Sequence, residues 1–426
     1  MPTLSLPILS DELYQKFSAC VHCGFCLPAC PTYLITGDEA DSPRGRILLM
    51  KAAIDGRVEV GKGKKGGGDR TFEHLDRCLL CRACETACPS GVEYHTLMES
   101  VRPIVTERVL GRGRKMKSRL LQLMVNHVFP YANRARAGMF AGRTAMKLGL
   151  GMFVPKTMRG GLEGNFSLRN VDCRMKSQGE HRGCVVLLRG CVGSVVSGSV
   201  NLAAARVLSA NGFDVEILDD EGCCGAMAAH ANDPQSAKES AMRKVDALAD
   251  RNEDFFVSPI GGCGAQLKHL DTILAGMGRY EEKARCVVAK MRDITELLAE
   301  IGLQEMTHRV ERVVTFHDPC HMLNVQKLAA EPRHLLSLVP GLKVIPLPES
   351  DVCCGAAGTY NMVQPAMAER IGQRKVENIL RTGASEVITA NVGCAMQMEK
   401  ELKQSGHAEI KVRHVVEVLS EGYGLS

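Results

Sequence analysis

Eight of the 19 cysteines in this chain of 426 residues fall into two runs with the same spacing. The runs are Cys20-Val-His-Cys23-Gly-Phe-Cys26-Leu-Pro-Ala-Cys30-Pro31 and Cys78-Leu-Leu-Cys81-Arg-Ala-Cys84-Glu-Thr-Ala-Cys88-Pro89. Both follow the pattern C-x2-C-x2-C-x3-C-P, and each cysteine recurs 58 positions later. Three thiolates spaced in this way can surround one iron–sulfur cubane, while the intervening residues turn backbone N–H groups toward its sulfides. The spacing therefore predicts iron–sulfur chemistry.

The fourth cysteine of each run lies one residue further along and precedes a proline, so it points toward the other cluster. We therefore expect two 4Fe–4S clusters with crossed ligands. The expected ligands are Cys20, Cys23, Cys26 and Cys88 for the first cluster, and Cys78, Cys81, Cys84 and Cys30 for the second. A zinc site needs only four ligands in two pairs and leaves the doubled run unexplained.

The second half of the chain contains an internal repeat that is also marked by cysteines. Two groups of four, each with a Cys-Cys-Gly sequence, are related by offsets of 129 to 131 residues. The groups are Cys191, Cys223, Cys224 and Cys263, and Cys320, Cys353, Cys354 and Cys394. Each group could hold a further cluster or metal, or could be a metal-free set of reduced thiols. His321 is either an accessory ligand or a hydrogen-bonding histidine.

The elements predicted around these cysteines repeat as well. The predicted strands are 184–188, 213–218, 255–258, 313–316 and 386–390, and the predicted helices are 196–211, 234–249 and 365–380. Strands that alternate with helices indicate a parallel, doubly wound sheet in each repeat. In such sheets the loops at the carboxyl ends of the strands cluster together, and all the repeat cysteines fall in these loops.

Helical signals surround the two cysteine runs near the N-terminus. Ser10 can cap a helix that carries Phe17 on its apolar face. Between the runs, Ser42 is an N-cap candidate, Pro43 suits the first helical position and Gly56 suits the end. Helices that join cysteine runs favour a helical ferredoxin-like domain over the hairpin-built bacterial type.

These patterns predict a multidomain α/β chain in four parts. An N-terminal α-helical ferredoxin-like domain with two clusters precedes a basic connector, and two related, doubly wound α/β cysteine-rich repeats follow. The predicted ranges are 1–105, 106–180, 181–305 and 306–426.

The formal net charge of +5 comes from the connector. From Arg108 to Leu162 there are 12 Lys and Arg and no Asp or Glu, so the rest of the chain has 41 basic and 48 acidic residues. This stretch is either a solvated helix or a docking surface for an acidic partner subunit or anionic lipid headgroups. Nucleic acid is not expected, because no aromatic stacking pattern or reader motif accompanies the charge. The basic residues concerned include Lys115, Lys117, Arg119, Arg134, Arg136, Arg143 and Lys147.

The cysteine content also indicates a compartment. Residues 1–10 lack the basic region and apolar core of a signal peptide, and no stretch reaches the roughly 18 apolar residues that span a bilayer. We therefore expect a reducing, cytoplasmic location with metal-ligating thiolates, and peripheral contact with the cytoplasmic face of the inner membrane if the connector docks there.

Cys173, Cys184 and Cys286 lie outside the repeat pattern, and Cys184 and Cys286 are expected in strands as small core residues. The glycine- and lysine-rich stretch 61–68 is expected to be a surface loop.

Over its whole length, the chain resembles the iron–sulfur subunit of glycolate oxidase. The resemblance rests on both cysteine runs, both cysteine-rich repeats and three further motifs. These motifs are Asp41-Ser-Pro-Arg-Gly-Arg46, His317-Asp-Pro-Cys320-His321 and Asn391-Val-Gly-Cys394. The repeat pair is similar to that in subunits of anaerobic glycerol-3-phosphate dehydrogenase, lactate utilisation complexes and heterodisulfide reductase.

The resemblance implies an electron-transfer subunit of a multisubunit flavoenzyme. A partner subunit would bind FAD and oxidise glycolate to glyoxylate, and this chain would pass the electrons toward a membrane acceptor. The sequence agrees, because no G-x-G-x-x-G follows a predicted strand, which leaves the chain without a flavin fingerprint. We therefore expect no turnover of glycolate by this chain alone and assign no catalytic residue.

One departure bears on the chemistry of the repeats. The repeat that builds a noncubane cluster in heterodisulfide reductase ends in C-x-x-C, whereas here Cys263 is followed by Gly-Ala-Gln266 and Cys394 by Ala-Met-Gln397. Each repeat is one cysteine short, which argues against disulfide-reduction chemistry. Besides the glycolate complex, two alternatives remain. They are the same role in a lactate or glycerol-3-phosphate complex, and a thiol–disulfide enzyme or zinc-binding structural protein.

Overall fold

The computed structural model describes residues 10–58, 71–109, 122–148, 174–218 and 221–425. Stretch 61–68, Lys115, Lys117, Arg119 and Cys173 lie outside these ranges. Within them, no helix is both long enough and apolar enough to cross a bilayer.

The described part of the chain up to residue 109 is helical and has no strand. The side-chain oxygen of Ser10 accepts a hydrogen bond from the Leu13 N–H at 3.3 Å, and that of Ser42 accepts one from the Gly45 N–H at 3.0 Å, so both predicted helix caps are present. The helices are Asp11–Ser18, Pro31–Thr36, Pro43–Ile54, Thr71–Asp76, Ala83–Thr86 and Tyr94–Val109. Phe17 and other apolar side chains from these helices form one core. The predicted α-helical ferredoxin-like domain is thus confirmed.

The second half contains two sheets. The strands are β1 (Arg174–Met175), β2 (Gly183–Leu187), β3 (Phe213–Ile217), β4 (Phe255–Ser258), β5 (Met291–Asp293), β6 (Arg312–His317), β7 (Leu342–Ile345), β8 (Glu386–Thr389) and β9 (Lys411–His414). The sheet orders are β1-β3-β2-β4-β5 and β7-β6-β8-β9. All pairs are parallel except β1 with β3. Apart from the short edge strand β1, both repeats therefore have the same topology.

Helices cover both faces of each sheet. They are Gly193–Val196, Gly198–Ala210, Ala226–His230, Pro234–Leu248, Gly261–Leu267, Leu270–Ile273, Arg279–Lys290, Ile294–Ile301, Cys320–Asn324, Glu331–Ser337, Tyr360–Val363, Pro365–Thr382, Val392–Gln404 and Val415–Gly422. The predicted helix 196–211 is interrupted at Ser197, whose backbone leaves the helical region (φ −141°, ψ 47°). The helices that begin at Pro234 and Pro365 agree with the prediction, with proline in the first turn.

The two repeats pack on each other through two pairs of helices. Gly198–Ala210 of the first repeat lies against Val415–Gly422 of the second, and Ile294–Ile301 lies against Glu331–Ser337. These four helices and the facing sides of both sheets share one apolar core. The outer faces have separate cores. The predicted pair of doubly wound α/β repeats is confirmed.

The expectation for Cys286 was wrong. Cys286 lies in the helix Arg279–Lys290 and is exposed, because Ala284 and Val287 form the buried face of that helix. Cys184 lies in β2 as expected but is only half-buried, since it is near the exposed start of the strand.

The connector contacts the first repeat. Residues 122–127 are helical, and a second helix runs from Ala132 to Lys147. Val125 is buried against Ala228 and Ala237. The Asn126 side-chain amide donates hydrogen bonds to Asp233 and to a neighbouring serine hydroxyl, each at 2.8 Å. This part of the connector is therefore packed and hydrogen-bonded against the repeat.

Candidate metal centres

Two cavities in the helical domain are each lined by four cysteines. One is lined by Cys30, Cys78, Cys81 and Cys84, and the other by Cys20, Cys23, Cys26 and Cys88. Each cavity therefore combines three cysteines of one run with the last cysteine of the other. Four thiols converging on one cavity fit a [4Fe–4S] cluster.

The backbone around both cavities has the same unusual conformation. His22 and Gly24 in the first run have φ of 56° and 89°, and the equivalent Leu80 and Arg82 in the second have 56° and 60°. Positive φ is costly for residues other than glycine, so its recurrence marks a functional constraint. Such turns direct successive N–H groups into one concavity, and the Leu80 N–H donates to Cys78 Sγ at 3.5 Å.

The first turn of the helix Pro43–Ile54 carries two arginines, and one of them lies at each cavity. Arg44 lines the cavity of the first three cysteines, and its Nη1 donates to the His22 carbonyl at 2.9 Å. Arg46 lines the other cavity, where its Nη1 lies 3.9 Å from Cys30 Sγ and its Nη2 donates to the Thr32 hydroxyl at 3.0 Å. The motif at 41–46 therefore supplies positive charge to both cavities.

Asp41 and Gly45 fix the position of this motif, and Asp41 is the counter-ion of Arg46. Asp41 is fully buried, 2.9 Å from His74 Nδ1 and 3.5 Å from Arg46 Nη2. A Cβ at position 45 would lie 1.9 Å from the Glu39 carbonyl oxygen, so only glycine allows this approach. The motif therefore combines a buried counter-ion with a tight backbone contact.

The two cavities differ in their access to solvent. At the first, Cys23 is exposed, and the flanking Val21 and Phe25 are 67% and 66% exposed. At the second, burial raises the pKa of the Cys81 and Cys84 thiols well above their ordinary value. The first cavity therefore lies at the surface and the second lies inside the protein.

The arginines lead to a paired prediction about reduction potential. We expect Arg44→Gln to lower the reduction potential of the cluster in the surface cavity (the surface cluster). Arg46→Gln should lower that of the cluster in the buried cavity (the buried cluster). Each substitution removes a positive charge that favours the added electron. An EPR-monitored redox titration measures both. Arg57→Gln, at an exposed arginine paired with Asp55, is the control and should shift neither potential. A shift of the same cluster by both cavity variants would contradict the assignment.

The repeat cysteines form two compact groups beyond the carboxyl ends of the parallel strands. In the first repeat, Cys191 Sγ lies 3.4 Å from Cys223 Sγ. Contacts with the thiols of Cys191 and Cys224 lower the pKa of Cys223 well below its ordinary value. In the second repeat, contacts with Cys353 and Cys394 lower the pKa of Cys354 in the same way. Each group therefore contains one cysteine that readily becomes a thiolate, the form that binds metals. The two groups consist of Cys191, Cys223, Cys224 and Cys263 in the first repeat, and of Cys320, Cys353, Cys354 and Cys394 in the second.

The glycine after each cysteine pair is required by the loop. Gly225 and Gly355 have φ of 88° and 90°. A Cβ would lie 3.0 Å from the Ala237 carbonyl oxygen in the first repeat and 2.9 Å from that of Ala368 in the second. Both restrictions favour glycine, so the Cys-Cys-Gly loop can lie directly on the following helix.

A buried lysine supports each of these loops. Lys244 and Lys375 occupy equivalent positions and are 2% and 3% exposed. Lys244 Nζ lies 3.3 Å from the Glu221 carboxylate, and Lys375 donates to the Glu349 carbonyl. Burial lowers the pKa of Lys375. When protonated, each lysine places a positive charge behind a cysteine group, which favours thiolates.

The helical domain lies directly on the cysteine loops of the second repeat. His321 Nε2 is 3.0 Å from the Leu80 carbonyl oxygen, and Asn324 Nδ2 donates to the Cys81 carbonyl at 3.1 Å. Both acceptors belong to the second cysteine run. Of the two expectations for His321, the geometry supports the hydrogen-bonding role.

His321 also stacks on a histidine from the first repeat. The ring centroids of His230 and His321 lie 5.1 Å apart with 22° between the planes. Burial lowers the pKa of His230 to about 3, so this ring is neutral at physiological pH. The stacked pair joins both repeats to the helical domain without adding charge.

The sequence analysis named His317 only as part of a motif and did not consider it as a metal ligand. Its ring nitrogens lie near the thiols of Cys354 and Cys394, with the ligand atoms within 4.8 Å of one another. His321 was considered because it is adjacent to Cys320, whereas His317 is three residues earlier at the end of β6. The signal available in the sequence was the comparison of repeats, which aligns His317 with Leu188 at the offset of 129.

Comparison with protein families identifies the class of the molecule. Residues 16–92 match the 4Fe-4S dicluster domain, and residues 181–268 and 314–399 match the cysteine-rich domain. The chain is therefore an iron–sulfur protein that joins a dicluster domain to two cysteine-rich repeats.

Whole-chain similarity identifies the family. The chain is 36% identical over 407 residues to the glycolate oxidase iron-sulfur subunit of Escherichia coli (strain K12), covering 95% of this chain and 93% of that protein. It is 33% identical to the probable glycolate oxidase iron-sulfur subunit of Bacillus subtilis (strain 168), covering 95% of this chain and 94% of that protein. The chain belongs to the family of glycolate oxidase iron–sulfur subunits.

Two more distant matches concern part of the chain or the fold alone. Lactate utilization protein A of Shouchella clausii (strain KSM-K16) is 28% identical over 237 residues, which is 55% of this chain and 98% of that protein. The crystal structure of a hypothetical protein from Helicobacter pylori superimposes with a TM-score of 0.56 at 10% identity, covering 98% of this chain and 74% of that one. The second match supports the fold and carries no information on activity.

Proposed function

We propose that this chain is the electron-transfer subunit of a glycolate-oxidising complex. An FAD-binding partner oxidises glycolate to glyoxylate, and this chain passes the electrons one at a time toward a membrane acceptor. The observation that carries the proposal is the pair of four-cysteine cavities in a chain closely similar to glycolate oxidase iron–sulfur subunits. The division of the chain at residues 105, 180 and 305 remains a prediction.

The proposed ligands are the cysteines that line the two cavities. Cys20, Cys23, Cys26 and Cys88 hold one [4Fe–4S] cluster, and Cys78, Cys81, Cys84 and Cys30 hold the other. Bound clusters supply one-electron carriers whose potentials the protein sets. The inward N–H groups of both runs and the guanidinium groups of Arg44 and Arg46 favour the reduced, more negative state.

The positions of the cavities support a direction for the electrons. The cavity bordered by Val21 and Phe25 opens at the surface, where a partner could approach. The buried cavity adjoins the second repeat, because Cys81 and Cys320 pack at the edge of one apolar cluster. With clusters bound at both sites, electrons would enter at the surface cavity, continue to the buried one and leave through the second repeat.

The exposed apolar side chains of Val21 and Phe25 lead to a prediction about partner binding. We expect Phe25→Glu to weaken association with the flavoprotein, because it places a charge in the apolar centre of the proposed interface. Co-purification of the two subunits measures this, and the iron content of the chain should stay unchanged. Leu338→Glu, at an exposed leucine of the second repeat, is the matched control. Equal weakening by both variants would contradict a specific interface at Phe25.

A second proposed contact is the basic connector, which docks on the flavoprotein or the cytoplasmic membrane face. We expect replacement of five basic residues by glutamine to release the chain, and binding of the unchanged protein to weaken as salt rises, because exposed charges are screened beyond about 8 Å. The replaced residues are Lys115, Lys117, Arg119, Arg134 and Arg136. Co-sedimentation with the partner or with anionic vesicles measures this. Intact, salt-insensitive binding by the substituted chain would instead support a solvated connector.

Reconstitution tests the function itself. The purified, flavin-free chain should not oxidise glycolate with an artificial dye, and addition of the flavoprotein should produce turnover that reduces the clusters. Glycolate turnover by this chain alone would overturn the proposal. A co-purifying flavoprotein that oxidises lactate or glycerol 3-phosphate would move the same electron-transfer role to another complex.

A lactate complex is the second candidate. It is favoured by the similarity to lactate utilization protein A, which extends over 55% of this chain. The similarity to glycolate oxidase subunits extends over 95% and includes higher identity. The glycolate complex is therefore the better supported of the two.

A further inference from the structure

His317 is a buried histidine whose ring nitrogens make no well-formed hydrogen bond to a described residue. It ends β6, its exposed fraction is 0%, and neither ring nitrogen meets hydrogen-bond geometry with a described residue, while the Cys354 thiol is its close neighbour. A neutral imidazole always presents one N–H and one lone pair, and burying both unsatisfied is costly. Such a residue in a folded protein indicates a ligand that satisfies it.

The surroundings of His317 identify the kind of ligand. The ring faces the thiols of Cys354 and Cys394, with the three ligand atoms within 4.8 Å of one another. Asn391 Nδ2 donates to Cys394 Sγ at 3.2 Å, a contact that suits a metal-bound thiolate. Imidazole and thiolate together select zinc or iron–sulfur centres.

The first repeat shows that the fold does not require a histidine here. The equivalent residue, Leu188, is 1% exposed and packs in an apolar core. Leucine therefore fills the same position at the end of the corresponding strand. The histidine is specific to the second repeat, which is also the repeat that contacts the helical domain.

We propose that His317 is a nitrogen ligand of an iron–sulfur centre in the second repeat, with Cys354 and Cys394 among its thiolate ligands. Cys320 and Cys353 complete the cysteine group around it. The first repeat, with leucine at this position, holds no such mixed centre.

The location favours iron over zinc. Cys320 and Cys353 share an apolar cluster with Leu79 and Cys81, which belong to the second cysteine run. With both centres bound, one electron would pass from the cluster held by Cys30, Cys78, Cys81 and Cys84 to the His317 centre. The first would be oxidised by one electron and the second reduced by one, with no bond or proton exchanged. Replacing cysteine ligands by histidine raises the reduction potential of a cluster, so the His317 centre is suited to accept the electron.

This role in electron transfer rests on the proposed function, whereas the ligand assignment can be tested separately. The experiment is pulsed EPR on the full chain, purified anaerobically and reduced, with and without 15N-labelled histidine. We expect a third signal, beyond those of the two cavity clusters, with a nitrogen coupling that changes on labelling. In His317→Leu, which copies the first repeat, this signal and its iron should be lost while the two cavity signals remain.

Two further variants make the test specific. His321→Gln removes a histidine four residues away that hydrogen-bonds Leu80, and it should keep the nitrogen coupling. His317→Cys should retain the iron, lose the coupling and lower the potential of the third signal. The inference is overturned if zinc replaces iron in this repeat, if no third signal exists, or if the coupling survives in His317→Leu. Absence of the two cavity signals would instead overturn the proposed function.

Discussion

Replacement of Cys30 by serine is expected to remove the buried cluster and leave the surface cluster intact. Cys30 belongs to the first run by sequence, but its thiol lines the cavity of Cys78, Cys81 and Cys84. A cubane that loses one of four thiolates is strongly destabilised, so the expected loss is about four of the roughly eight irons in the two cavities. Iron analysis and EPR of the anaerobically purified variant measure this.

The reciprocal variant provides the control. Cys88→Ser should remove the surface cluster, whose other ligands come from the first run, and leave the buried one. Cys286→Ser, at an exposed cysteine outside both cavities, should keep all the iron. Selective loss of the surface cluster in Cys30→Ser would show that each run holds its own cluster.

Asp41→Asn is expected to cause the largest loss of stability among single polar substitutions in the helical domain. Asp41 is fully buried and contacts Arg46, His74 and Arg77, at 3.5, 2.9 and 3.0 Å. The substitution leaves the side chain of Arg46 as a buried charge with a weakened counter-ion, which costs about 3–5 kcal/mol. Anaerobic chemical denaturation gives the change in the free energy of unfolding.

An exposed ion pair is the matched control for Asp41. Glu311→Gln breaks the contact with Arg309, in which both side chains are more than 60% exposed. Such pairs contribute about 0–1 kcal/mol. Equal losses in the two variants would mean that the Asp41 network does not stabilise the domain.

The cysteine runs were the most predictable part of the site. Their chemistry depends on local spacing, and the proline after Cys30 and Cys88 indicates that these two thiols leave their own run. The parallel, doubly wound sheet of each repeat was also accessible, because the same alternating strands and helices recur at an offset of about 130 residues. Local periodicity is sufficient for both inferences.

Other features depend on contacts between distant parts of the chain. The docking of Leu80 and Cys81 on His321 and Asn324 joins residues more than 240 positions apart, and no local pattern predicts it. The position of Cys286 depends on which face of its helix is buried, and a short apolar run does not distinguish strand from helix. The role of His317 depends on the direction of its ring toward two loops that meet only in the folded repeat.

Iron, sulfide and zinc content per chain, measured together with EPR of the anaerobically reduced protein, tests the central claim most directly. The two cavities require about eight irons and eight sulfides, with signals from two magnetically interacting [4Fe–4S] clusters. Iron beyond this amount that is lost in His317→Leu should belong to the centre proposed at His317. Zinc in place of iron, with no sulfide and no broad visible absorbance, would contradict the account.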